Sequence, residues 1–200
     1  MIPIRFTTPF FLLSLLLLSS CQLFHEKPKP ADALLTLYRD DHLRPLVVDY
    51  YTQLTSDRTV ALAILETCDD LGLDPSLGFS LAWNESKFNP RAINYNPTTM
   101  DRGLFQLNTK TFPELDRKAV FDPRRNARQG LAFYKYAFTK LGTEAKALGY
   151  YNSGIGMLTD RALPRSTQAY VKKILADRDR MDRDAIAFIY FSHDARLALR

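Results

Sequence analysis

Residues 74 to 90, DPSLGFSLAWNESKFNP, constrain the fold more than any other stretch of the chain. Asp74 is placed to cap a helix, and Pro75 suits the first helical position, where no backbone N–H is needed. Leu77, Leu81 and Glu85 follow at intervals of four, which puts them on one helix face. Phe79, Ala82 and Trp83 cover much of the remaining circumference, and a helix apolar all round is a buried helix. Pro90 discourages any continuation. Other elements must therefore enclose this helix, and a carboxylate enters that enclosure at its C-terminal end.

Two effects act on Glu85 in the same direction. Burial disfavours a charged carboxylate, and the carbonyl end of a helix repels negative charge. Both raise the proton affinity, which is what a general acid working near neutral pH requires. A plainer possibility stays open at this point: a helix-end glutamate turned to solvent, or paired with Lys87 or Arg91.

The chain from Ala33 to Asp182 reads as helical almost throughout. Ser56 or Asp57 can cap a helix that stops at Gly72, Asp122-Pro123 begins another that ends at Gly142, Thr143 caps a short one, and a long helix starts near Pro164. Strand alternation is absent except around Gly103 to Leu107. The expected fold is mainly α, a single domain over residues 33–182 with at most a short β-hairpin. Residues 183–200, apolar then basic, are expected to form a helical extension packed on that domain.

Residues 1–20 are set apart as a signal segment. Arg5 gives it a positive start, and Phe10 to Leu18 is apolar but too short to span a bilayer. Its end, Leu18-Ser19-Ser20-Cys21, resembles a bacterial lipobox, which implies cleavage before Cys21 and lipidation of its thiol. Residues 21–32, with Pro28 and Pro30, form a tether. A lipoprotein anchored through Cys21 is expected, at the outer membrane facing the periplasm, because Gln22 replaces the aspartate that often retains such proteins at the inner membrane. The only other cysteine, Cys68, shares a helical register with Ala61, Ile64, Leu65 and Leu71 and is expected in the core.

The formal net charge of +5 falls to +4 without Arg5, and it is spread along the chain. No basic-aromatic array suited to nucleic acid exists, and His25, His42 and His193 have no metal-ligand spacing. No cofactor is implied.

Four further stretches carry polar chemistry: ESKFNPRAINYN (85–96), DRGLFQLN (101–108), GYYNSGIG (149–156) and STQAYVKKIL (166–175). Singly each is ordinary; YNSG, for example, is good turn chemistry. In order, type and spacing together they resemble the lysozyme-like lytic transglycosylases of bacterial cell walls over roughly Leu62 to Leu175. That resemblance implies that Glu85 is the catalytic acid and base, that Ser86 holds the glutamate and a sugar N-acetyl group, and that Gln106 and Asn108 lie in a saccharide groove. It places Tyr151 and Asn152 over Glu85, and Tyr170 in the same cleft. Phe105 and Tyr150 depart from the family's usual Met and Ala, with an expected effect on groove shape.

Residues 85 to 108 also resemble chicken-type lysozymes, with Asp101 at the position of the second carboxylate. In a polar turn beside Arg102, Asp101 is expected to stay ionised while Glu85 is protonated. The expected activity is cleavage of the bond between N-acetylmuramic acid and N-acetylglucosamine in peptidoglycan glycan strands, with closure of a 1,6-anhydro ring, by a monomer. A hydrolase using Glu85 and Asp101 is the near alternative. A non-catalytic glycan-binding protein is the distant one, and the intact Glu85-Ser86 pair argues against it.

Overall fold

The computed structural model describes residues 33–154 and 163–198. The expected signal segment, Cys21 and the tether lie outside the described residues, as do Ile155 and Gly156. Seven α-helices are described: α1 (Ala33–Arg39), α2 (Arg44–Thr55), α3 (Arg58–Leu71), α4 (Pro75–Ser86), α5 (Pro123–Leu141), α6 (Glu144–Ser153) and α7 (Arg165–Ala198). Between α4 and α5 lie strands β1 (Ile93–Tyr95), β2 (Met100–Arg102) and β3 (Leu107–Asn108), then a 3-10 turn at Ala119–Phe121. No described helix is long and apolar enough to cross a membrane.

The helix boundaries follow side-chain chemistry. Asp57 accepts from the backbone N–H groups of Thr59 and Val60, and Gly72 closes α3 in a left-handed conformation. Asp74, Asp122 and Thr143 cap α4, α5 and α6 in the same way. α4 is the central element, with α7, α3 and α1 packed against it. Phe79, Leu81 and Ala82 are fully buried, and each large side chain so placed contributes about 1.5–3 kcal/mol of apolar transfer. The hydroxyls on this helix are satisfied: Ser76 shares a 3.1 Å hydrogen bond with Tyr51, and Ser80 donates to the Leu77 carbonyl at 3.0 Å. Cys68 is wholly buried, and burial pushes its thiol far above the ordinary range. That excludes a thiolate nucleophile at neutral pH.

The mainly α fold matches expectation, and the sheet adds a third strand to the expected hairpin. It has three antiparallel strands in the order β1-β2-β3, with Ile93 opposite Arg102, Asn94 opposite Asp101, and Asp101 opposite Asn108. Gly103 to Gln106, where a strand was expected, form the turn between β2 and β3. Strands of two or three residues are too short to show period-two alternation, so tertiary pairing alone defines them. α7 runs without a break across residue 182 to Ala198. Its distal half is fixed by Ile189, which is buried, and by Phe188, whose ring centroid lies 5.6 Å from that of Tyr50.

Candidate active site

α4 ends by a tight reversal immediately after Glu85 and Ser86. Lys87 and Phe88 both take left-handed backbone conformations, with φ of 56° and 64°. Non-glycine residues adopt that region at a cost, and the buried Phe88 ring offsets it by packing 5.4 Å from Trp83 and 6.1 Å from Phe79. The reversal turns the chain into the sheet and leaves Glu85 at the wall of a cleft of about 400 Å³.

Six of the side chains expected at a site line that cleft together: Glu85, Asp101, Gln106, Asn108, Tyr151 and Asn152. Tyr170 joins them through a hydrogen bond rather than as lining, and Ser86 bonds the β2–β3 turn behind them. Tyr170, on α7, donates its hydroxyl to Glu85 Oε1. Ser86 does not bond Glu85; its Oγ donates to the Leu104 carbonyl at 2.7 Å.

Burial is the largest influence on Glu85 and pushes its carboxyl up to about 7; the Tyr170 hydrogen bond opposes the rise, the charge of Asp101 adds to it, and Lys87 opposes it. Glu85 makes no ion pair among the described residues, so neither Lys87 nor Arg91 neutralises it. A carboxyl with this affinity exchanges its proton readily at neutral pH, and the same group can serve as acid and then as base. Burial and the neighbouring carboxylate push the Tyr170 phenol well above 10, so it remains a donor.

Asp101 is held differently. Its Oδ2 accepts from Asn96 at 2.8 Å and from Asn94 at 3.4 Å, and its Oδ1 accepts from Asn108 at 2.6 Å. Asn94, Asp101 and Asn108 are cross-strand partners on one face of the sheet, so β pairing builds this amide cradle.

The turn from Arg102 to Gln106 is fixed by three side chains from three helices. Ser86 holds the Leu104 carbonyl, Tyr151 donates to the Phe105 carbonyl at 2.8 Å, and Asn126 receives the Phe105 N–H at 2.7 Å. Asn126 also donates to the carbonyls of Arg102 and Val120, at 3.0 and 2.8 Å, and is almost completely buried. Close approach makes two glycines necessary here. A Cβ on Gly103 would meet Asn126 Nδ2 at 2.2 Å, and one on Gly130 would meet Phe105 Cβ at 2.6 Å.

Phe105 is fully buried against α5, so its side chain shapes the core rather than the groove, contrary to expectation. Tyr150 is also buried and stands 5.3 Å from the Phe133 ring, which itself lines the cleft. Gln106 donates to the Gly103 carbonyl at 3.0 Å from a left-handed conformation with φ of 47°. Asn152 accepts from Thr167 at 3.1 Å, which ties α6 to α7 beside the cleft.

Sequence reasoning did not find Asn96, Thr111, Phe112 or Phe133, which line the cleft, nor Asn126, which fixes the turn. Asn126 does carry a signal: it precedes Gly130 and Tyr134 at intervals of four, a polar residue on the buried face of α5.

Two curated relatives named X polypeptide, one from Escherichia coli and one from its strain K12, are each 35% identical over 92 residues, 42% of this chain and 54% of theirs. The chain thus matches about half the length of those relatives. A solved structure of an inactive mutant of the lytic transglycosylase Slt from Pseudomonas aeruginosa superposes with a TM-score of 0.51 and 20% identity, over 62% of this chain and 24% of that one, which is a likeness of fold. The family described as "Transglycosylase SLT domain" matches residues 63–173, more than half of the chain and a span that takes in Glu85, the β2–β3 turn, Tyr151 and Tyr170. The chain belongs to the transglycosylase SLT domain family.

Proposed function

We propose that the chain is a peptidoglycan lytic transglycosylase with Glu85 as its single acid and base. The observation that carries this reading is a half-buried, desolvated carboxyl with an affinity near pH 7 at the wall of a polar cleft. Protonated Glu85 gives its proton to the glycosidic oxygen between N-acetylmuramic acid and N-acetylglucosamine as the C1–O bond breaks. Positive charge develops at C1, and the neighbouring N-acetyl oxygen of the same sugar stabilises it. The Glu85 carboxylate then takes the proton of the muramyl 6-hydroxyl as O6 bonds to C1, which closes the 1,6-anhydro ring and restores the acid. The acceptor is held within the substrate and gains from high effective molarity over water. Tyr170 steadies the carboxylate between the two proton transfers.

A hydrolase is the second reading, and the position of Asp101 in the same cleft favours it. Both Asp101 oxygens accept amide hydrogens, which holds the side chain in place in the cleft. Cys21 is the proposed lipid anchor, at the outer membrane facing the periplasm, with loss of fatty-acid label in Cys21→Ala as its test.

The test of the catalytic assignment is Glu85→Gln, which keeps shape and hydrogen bonding but removes the transferable proton. Solubilisation of purified sacculi is expected to fall at least ~10²-fold, the scale of a general acid–base contribution. Retained activity would take Glu85 out of the mechanism and assign the proton transfers to another group.

A further inference from the structure

A second cavity, of about 530 Å³, is lined by Arg91, Ile93, Arg117, Lys118, Phe121 and Asp122. Its lining shares no residue with that of the cleft. Asp101 lines the cleft and its cross-strand partner Asn94 shares its face, so their strand neighbours Ile93 and Arg102, which pair with each other, lie on the opposite face of β1 and β2.

Its charge is one-sided. Three cations meet one carboxylate, and Asp122 is already engaged in capping α5 through the Arg125 N–H. Arg91, Arg117 and Lys118 form no ion pair among the described residues. Arg102 lies on the same face, almost fully buried and near the Asp116 carboxylate, and its Nε has no hydrogen-bond partner among the described residues. Ile93 and Phe121 give the cavity apolar walls, and the exposed Tyr95 and Met100 extend that face. Guanidinium forks match carboxylates in bidentate geometry. Apolar walls between cations suit an organic polyanion whose carboxylates are separated by aliphatic segments better than a bare inorganic ion.

We propose that this cavity binds the carboxylates of the short peptides carried by the wall polymer, which would let the enzyme hold a peptide-bearing strand while the cleft acts on the glycan. The identity of the ligand rests on the reading of the chain as a peptidoglycan enzyme; the site itself rests on the cavity and its cations.

The test titrates the full chain with L-alanyl-γ-D-glutamyl-meso-diaminopimelate, followed by NMR, in wild type and in an Arg117→Ala/Lys118→Ala variant. Both side chains are exposed, so the variant is expected to fold normally. The tripeptide should perturb Arg91, Ile93 and Phe121, and its Kd should rise at least tenfold in the variant. Cleavage of glycan strands stripped of peptide should be unchanged, while KM on intact sacculi rises. An unchanged Kd, perturbation confined to the cleft around Asn96 and Thr111, or equally tight binding of inorganic phosphate would each overturn the proposal. A wild-type protein that cleaves no glycan would count against the transglycosylase reading, and the peptide titration would still decide this one.

Discussion

Tyr170 on α7 donates its phenolic hydrogen to Glu85 at the end of α4, across 85 residues of sequence. The bond favours the charged form of a carboxyl that burial otherwise drives toward the neutral form. Two opposing influences therefore hold Glu85 near neutrality. Tyr170→Phe removes one of them and keeps the ring. The Glu85 carboxyl should then bind its proton more tightly, and the alkaline limb of the pH–activity profile should move upward by about one pH unit, the scale of one hydrogen bond to a charged group. A profile that only drops in height, with its limb unmoved, would assign Tyr170 a packing role alone.

The same burial makes Glu85 a stability liability above neutral pH. Its folded-state affinity, about 7, lies above the ordinary 4.5. Below pH 4.5 the carboxyl is neutral in both folded and unfolded chains and costs nothing. As pH rises from 4.5 through 7, the folded protein must ionise a desolvated group that the unfolded chain ionises freely, and up to ~3 kcal/mol is lost. Glu85→Gln should therefore raise Tm by several degrees at pH 8 and by much less at pH 4. Thermal unfolding of both proteins across that range checks the sign; a gain that does not grow with pH would contradict it.

Asn126 tests whether the β2–β3 turn is part of the machinery. Its amide satisfies the Phe105 N–H and two carbonyls in a buried setting. Asn126→Ala strands these partners, at about 1–3 kcal/mol for an unsatisfied buried group. The expected outcome is an unfolding free energy lowered by about that amount, with kcat reduced at temperatures where the variant is still folded, because Gln106 and Asn108 leave this turn. Full kcat in the folded variant would show that the turn keeps its shape without the amide.

What the sequence reveals and conceals here has a physical pattern. α4 was legible because capping, proline placement and apolar periodicity are local properties, all printed between Asp74 and Pro90. Glu85 stood out for the same reason, as a carboxylate on an otherwise apolar helix. The Tyr170–Glu85 bond was not legible as a bond, since it depends on how α7 crosses α4. Phe105 misled because a turn residue reads as groove-facing, whereas Gly130 leaves room for its ring to enter the core. The amide cradle of Asp101 stayed hidden because strands this short have no pattern of their own, and cross-strand register alone brings Asn94 and Asn108 to it.

The central claim is that one carboxyl carries both proton transfers and that the acceptor is the sugar's own 6-hydroxyl. Mass spectrometry of muropeptides released from purified sacculi tests it most directly, with wild type, Glu85→Gln and Asp101→Asn compared at equal protein. In a lysozyme-type hydrolase the second carboxylate stabilises or bonds the anomeric carbon, so Asp101→Asn should be nearly as damaging as Glu85→Gln. The account predicts 1,6-anhydromuramic ends, one water lighter than reducing ends and resistant to borohydride, with Asp101→Asn losing far less activity than Glu85→Gln. Reducing muramic ends alone, together with an inactive Asp101→Asn, would contradict it and make the enzyme a hydrolase.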